Sequence, residues 1–435
     1  MKGPPHIMAS RSPIDRPFGI NVVGYITGNL GLGVATRNTI RMLQGLDVPV
    51  ALTDVDPGGN RLGSDTTYTA LPDSARDRTP YPITIFHMNP PALTDQLWMH
   101  RSWSRDDRIT ACVPFWELPV LPHSWRPALE AMDIVLVPTR FVEEAVRAAL
   151  PDAFCIHYRQ TAFVPADVPS DRERWGIPHD AIAFVTSFDI LSDFQRKNPE
   201  AVIRAFHEAF PERADVRLVI KVNSTAESRA MFAERLGAFL ALAEDDSRII
   251  LVDEVLDYAD VLSLYASCDV LVSLHRSEGL GLSLLEAMSL GKAVVTTAWS
   301  GNMDFTTPDN ACLVGYDLIP VDSDHPSYSA DVVGTECVWA DPHVSEAADH
   351  MRALASDAEY RQRLGRRAQS DVLEARTVYE RGEVIEALKK AIAPDSPVWA
   401  RHAGKRARLR AIARGTAYAN IRRFGGRVLR RLGLR

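Results

Sequence analysis

From Phe18 onward the chain alternates short apolar runs with segments of helical spacing, and it does so in two successive series. Residues 19–25 are strand-like, and residues 31–43 carry helical spacing after a glycine-rich turn. Further strands are expected at 83–87, 109–114 and 134–138, each followed by a polar or proline-marked break, with a helix at 140–150. Such alternation calls for a parallel sheet with helices on both faces. Residues 165–178, rich in proline and charge, read as an interdomain linker. The second series places strands at 181–187, 216–222, 248–252, 269–274 and 293–297. Helices are expected between them at 199–210, around 228–243, at 261–267 and at 283–290. Pro199 suits a helix opening and Gly291 a helix close. The expected fold is α/β, with two Rossmann-like, doubly wound domains in tandem and ligands beyond the strand carboxyl ends. The expected divisions are a disordered leader at 1–16, a first domain at 17–170, a second domain with a return helix at 171–395, and a basic tail at 396–435.

Composition narrows the class. With 435 residues, 46% of them hydrophobic and 24% charged, the chain has material for two or three independent cores. Its five cysteines are scattered and form no C-x-x-C pair, which argues against a zinc ribbon or redox dithiol and suits a reducing compartment. Pro4, Pro5, Asp15 and Arg16 interrupt any secretory apolar region, and no run approaches the roughly 20 apolar residues of a membrane span. A cytoplasmic protein, soluble or peripheral at the membrane, is expected. The net charge of −7 conceals a step: the residues after Asp395 carry +12 and those before them −19.

The segment richest in chemistry is 269–304. A buried strand runs to Leu274, a loop holds His275, Arg276, Ser277, Glu278, Gly279, Leu280 and Gly281, and a helix starts near Ser283. Backbone amides at a helix N-terminus, approached through glycines, form an anion site. Glu278 precedes that helix and Glu286 lies within it, so two carboxylates can meet hydroxyls at the loop and along the first turns. The spacing alone is equally compatible with one glutamate on the helix dipole and one in solvent.

Glu278 and Glu286, with Gly279 and Gly281 between them and Gly291-Lys292 and Ser300-Gly301-Asn302 beyond, resemble the E-x7-E signature of retaining GT-B glycosyltransferases of family 4. The resemblance extends loosely from about Phe18 to Leu388 and implies two Rossmann-like domains facing a cleft. It implies that Glu278 contacts the donor sugar, that Glu286 contacts the ribose, and that the Gly279, Leu280, Gly281 and Leu282 amides approach sugar and diphosphate. Relatives with mannose or rhamnose donors fall within this resemblance.

Three further elements fit that frame. Arg196 and Lys197 stand just before the Pro199 helix, where two cations and a helix N-terminus suit a departing diphosphate. They resemble the family's basic pair, although Ser187-Phe188 replaces the usual Gly-Arg at the strand end. The turn from Gly28 to Gly33 does not meet the dinucleotide fingerprint. In the family this loop lies across the cleft, which makes Gly31 and Gly33 candidates and Arg37 a lesser one; a tight turn with close helix packing is the other reading. His87 and Glu117 end strands of the first domain, facing the expected cleft. Glu117 falls where relatives place a histidine near the transferring sugar, so it is a candidate to accept the acceptor's proton or bond a sugar hydroxyl. His87 is either a cleft contact or a core histidine, and Trp116 either stacks on sugar or fills the core.

The expected activity is transfer of a sugar from a nucleotide-diphosphate sugar to a saccharide or lipid-linked acceptor in cell-envelope polysaccharide synthesis. No metal and no other cofactor are expected, and Asp322-Ser323-Asp324 is rejected as a metal motif because it follows the donor segment in a loop. A nucleotide-sugar epimerase and a catalytically decayed sugar-binding protein are the alternatives. In the tail, Ile421, Phe424, Val428 and Leu432 form a stripe flanked by Arg422, Arg423, Arg427, Arg430 and Arg431. That pattern suits a basic amphipathic helix on an anionic membrane surface, with residues 401–435 as the contact. No nucleic-acid partner is expected, since no aromatic interleaving accompanies the charge.

Overall fold

The computed structural model describes residues 17–56, 65–68, 79–99, 108–224, 226–244, 246–323, 328, 332, 336–393, 395–402, 404–408, 410–412 and 414. The first series forms β1 (Ile20–Gly24), α1 (Gly31–Gly45), β2 (Val50–Asp54), β3 (Ile83–His87), α2 (Pro90–Met99), β4 (Ile109–Cys112), α3 (Arg126–Ala131), β5 (Ile134–Val137), α4 (Arg140–Ala149) and β6 (Cys155–His157). Its strands pair in parallel in the order β2-β1-β3-β4-β5-β6. The second series forms β7 (Ile182–Asp189), α5 (Phe194–Lys197), α6 (Pro199–Ala209), β8 (Val216–Asn223), α7 (Ala226–Met231), α8 (Ala233–Glu244), β9 (Ile249–Asp253), α9 (Tyr258–Ser267), β10 (Val270–Ser273), α10 (Leu282–Ser289), β11 (Ala293–Thr297) and β12 (Cys312–Val314). These strands too are parallel, in the order β12-β11-β10-β7-β8-β9.

The two orders are the two common doubly wound patterns. The first sheet reverses direction between β1 and β3, the second between β7 and β10. Strands such as Ile134–Val137 are buried throughout, because helices cover both faces. Side chains supply the helix starts: Thr139 caps α4, Asp193 caps α5 and Asp257 caps α9. The helix expected around 228–243 is divided into α7 and α8 at Phe232.

The chain then crosses between the sheets twice. An antiparallel pair, β13 (Tyr316–Pro320) and β14 (Val338–Pro342), carries Val321, Tyr328, Cys337 and Trp339 into a core cluster of the first domain. After α11 (Val344–Ser356), the long α12 (Ala358–Glu380) runs back, and α13 (Glu383–Ala391) packs on the first domain. Tyr379 places its hydroxyl 3.0 Å from that of Tyr158, and Ile385, Leu388 and Val398 join the core of the first sheet.

Part of the segment expected to contact an anionic surface, residues 401–435, packs instead against the first domain. Residues 401–402, 404–408, 410–412 and 414 are helical, and Arg406 is fully buried. Its Nη2 lies 3.0 Å from Asp133 Oδ2, while His402 Nδ1 lies 3.1 Å from Asp133 Oδ1. Lys405 donates to the Met132 carbonyl at 2.6 Å. A buried carboxylate at the start of β5 thus recruits cations from the far end of the sequence. The apolar stripe from Ile421 to Leu432 lies outside the described residues.

Removing one partner of a buried ion pair leaves the other uncompensated, a loss of about 3–5 kcal/mol. Arg406→Met should therefore lower the stability read by urea unfolding by roughly that amount. Arg408→Met, at a partly exposed arginine 3.7 Å from Glu130, should change it by under about 1 kcal/mol.

Candidate active site

A cleft of about 370 Å³ separates the carboxyl edges of the two sheets. The second domain contributes the loop from β10 into α10, and this loop is fixed at several points. Arg276 N donates to Arg196 O at 2.7 Å, and Glu278 N donates to Ser300 Oγ at 2.8 Å. Gly301 N returns a bond to Glu278 O at 2.9 Å. From the first domain, Thr139 Oγ1 donates to Gly279 O at 3.0 Å. A Cβ on Gly279 would stand 2.7 Å from Trp116 O, so only glycine lets the two domains meet here. Gly281, at φ +95°, turns the loop into α10 in a backbone conformation that disfavours a side chain. Leu282 and Ser283 line the cleft, so the first amides of α10 stand at its wall.

Glu278 is the electrostatic centre. Its Oε1 accepts from Lys197 Nζ and lies 3.2 Å from Arg196 Nη1. Burial works to raise the Glu278 carboxyl, but Lys197 and Arg196 overcome it and hold it down to about 2. Both cations end α5, whose N-cap Asp193 accepts from Gln195 N at 2.7 Å and Arg196 N at 3.2 Å. Arg196 is buried and also donates to Ser277 O at 2.8 Å. Lys197 is one-fifth exposed and keeps donors toward the cleft.

Across the cleft, Glu117 Oε1 lies 3.8 Å from Arg196 Nη2. Desolvation raises its pKa, against the pull of Arg196. Glu286, on α10, is buried at the cleft wall and is raised by desolvation to about 7. The Tyr258 hydroxyl lies near it without closing a hydrogen bond.

The structure therefore brings Glu278, Glu286, Arg196, Lys197, Glu117, Gly279, Leu280, Gly281, Leu282 and Gly31 to one cleft. It does not bring His87 there. That ring is fully buried behind β3 against Tyr158, and burial lowers its pKa to about 3, so it is a neutral core group. Gly33 is absent from the cleft wall; it closes the turn beneath Gly28, whose carbonyl leaves no room for a Cβ. Arg37 holds the same turn from below, donating to Ile26 O at 2.8 Å and Gly28 O at 3.0 Å. Trp116 fills the core, donating to Val120 O at 2.9 Å and packing on Trp125. Ser323 donates to Asp193 Oδ2, and Asp324 lies outside the described residues. Lys221, Asp189 and Tyr258 line the cleft without having been singled out from the sequence.

Two doubly wound domains facing one another across such a cleft are the GT-B architecture. Within it, residues 180–321 match the family described as glycosyl transferases group 1. Over 102 residues the chain is 33% identical to the lipopolysaccharide core biosynthesis mannosyltransferase LpcC of Rhizobium leguminosarum bv. viciae. That match covers 23% of this chain and 28% of LpcC, so only about a quarter of the relative is spanned. Among solved structures, Anabaena HepE in complex with UDP and glucose aligns at a TM-score of 0.58 and 15% identity, covering 86% of this chain and all of that one. Sucrose-phosphate synthase from Thermosynechococcus elongatus aligns at 0.57 and 15% identity, with the same coverage. At such identities the likeness is one of fold.

The glycines of the cleft should respond differently to a methyl group. Gly279→Ala forces Trp116 away and should cost about 1–3 kcal/mol of stability in urea unfolding. Gly31→Ala meets only Leu282 Cδ1, at 3.7 Å, and should leave the midpoint unchanged.

Proposed function

We propose that this protein is a glycosyltransferase that moves a sugar from a nucleotide-diphosphate sugar to a saccharide or lipid-linked saccharide, with retention at the transferred carbon. The observation that carries this reading is Glu278, a carboxylate kept ionised at the cleft by Lys197 and Arg196, one helical segment before Glu286. An ionised Glu278 accepts hydrogen bonds from donor-sugar hydroxyls. Glu286 takes the ribose hydroxyls, and the first amides of α10 with Lys197 face the diphosphate. These donors and cations stabilise the departing diphosphate without a divalent ion. Glu117, on the opposite wall, meets the acceptor hydroxyl or a sugar hydroxyl. The UDP and UDP-glucose complexes of HepE support a nucleotide-sugar donor, and the likeness to LpcC supports an acceptor of the cell envelope.

The test is donor binding and turnover with UDP-glucose and GDP-mannose, with and without EDTA. EDTA should leave both largely intact; a loss restored by magnesium or manganese overturns metal independence. Because burial raises Glu286 to about 7 in the free protein and hydroxyls bind its ionised form, donor affinity should rise from about pH 6 to 8, by up to about tenfold. Glu286→Gln should flatten that limb. Unchanged donor affinity and turnover in both Glu278→Ala and Glu286→Gln would remove this segment from the site.

We further propose that the protein works at the cytoplasmic membrane face, held by its basic tail. No helix among the described residues is long and apolar enough to cross a membrane. Arg406 and Lys405 are occupied by the first domain, so the attraction falls to the remaining tail charges. Each cation near an anionic surface adds about 1 kcal/mol, screened by salt. Truncation after residue 414 should abolish co-sedimentation with anionic liposomes at low salt. Equal sedimentation of both forms would exclude the tail as the anchor.

A further inference from the structure

The cleft holds a third cation whose surroundings differ from those of Arg196 and Lys197. Lys221 lies near the carboxyl end of β8, in register with Ser187 of β7, and lines the cleft. It shares a strand face with Val219, which packs with Leu264, Tyr265 and Leu285 on the α9 and α10 side of the sheet. The residue is only 4% exposed. A lysine so buried ordinarily answers to a carboxylate. Lys221 closes no hydrogen bond and no ion pair within 4 Å with any described residue.

Its acidic neighbours are engaged elsewhere. Asp189 accepts from Leu191 N at 2.8 Å and from Asn223 Nδ2 at 3.0 Å. Asp253 accepts from Ser224 Oγ at 2.6 Å and pairs with Arg229 at 2.7 Å. Glu254 contributes the least of the three. The other two cleft cations are not free either: Arg196 and Lys197 both stand against Glu278, and Arg196 lies 3.8 Å from Glu117 as well. A donor diphosphate entering there gains from a positive charge that is not already committed to a carboxylate.

We propose that Lys221 supplies that charge, contacting the donor's diphosphate from the β8 side while Lys197 and the α10 amides face it from the other. This rests on the nucleotide-sugar reading above. Burial lowers the lysine to about 8, with Asp189, Asp253 and Glu254 resisting, so the free protein carries it partly neutral in mildly alkaline solution. A bound diphosphate favours the charged form. Donor affinity should then fall as the pH passes above about 8, the limb opposite to that set by Glu286.

The experiment measures binding of UDP-glucose, GDP-mannose, uridine and guanosine by calorimetry to wild type, Lys221→Met and Lys221→Arg. Methionine preserves the apolar stem and removes the charge, so the variant should fold, with circular dichroism and thermal melting as the check. For whichever sugar nucleotide wild type binds, Lys221→Met should weaken affinity by about 10- to 100-fold, as expected for a hydrogen bond to a charged group. Nucleoside affinity should stay within about threefold, well below the loss of such a bond. Lys221→Arg should restore most of the affinity and lose the alkaline limb. Undiminished sugar-nucleotide affinity in Lys221→Met overturns the proposal alone. So does an equal loss for nucleosides, which would place Lys221 at the base or in the fold. Failure of wild type to bind either sugar nucleotide overturns the donor reading itself, and the role of Lys221 with it.

Discussion

A single carboxylate held between two cations organises this molecule. Glu278 is largely withdrawn from solvent, with 13% of its side chain exposed, and a carboxylate so placed without a partner would neutralise or unfold its surroundings. Lys197 and Arg196 prevent that, and in doing so they tie the loop after β10 to the short helix α5. The same loop then presents Gly279 to the Trp116 backbone and Gly281 to the start of α10. The juxtaposition of two sheets, the open amides of α10 and the position of Glu286 all follow from how that loop is held. The ion pair is thus as much a joint between elements as a charge in a cleft.

The contrast among the cleft acids is instructive. Glu278, Glu286 and Glu117 share one cleft, yet desolvation acts on each with a different outcome. Two cations depress Glu278 against its burial, desolvation without a cation raises Glu286, and desolvation raises Glu117 against the pull of Arg196. Partner geometry separates the acid that is held down from the acids that desolvation raises. Such separation allows carboxylates of one site to take distinct parts in binding.

Much of this was legible in the sequence because periodicity and spacing report local physics. The apolar runs that end at His87, Val137 and Ser273 are buried strands, and Glu278 with Glu286 lies at the cleft as the family resemblance implies. What escaped was what spacing cannot encode. β6 has three residues and β2 five, flanked by Pro49, so neither shows a pattern long enough to read. His87 looked like a strand-end ligand, but its ring turns inward against Tyr158, a contact 71 residues away in sequence order that no local rule supplies. Lys221 left a trace, a lysine inside the run Val-Ile-Lys-Val, where a buried strand should have none. The pairing of Asp133 with Arg406 spans 273 residues and left none.

That last pairing bears on how the molecule is made. The first domain is not a contiguous stretch of chain: its core takes side chains from Trp339, Tyr379, Leu388 and Val398, and its buried Asp133 waits for Arg406. During synthesis the first sheet emerges from the ribosome long before these closing pieces exist. For most of translation it carries an uncovered apolar face and an unneutralised acid. The second domain, whose sheet runs from β7 to β12 and whose core closes with α11 and the start of α12, has all its pieces before Tyr379, Val398 and Arg406 emerge, so it can complete itself first, reversing the order in which the ribosome begins them.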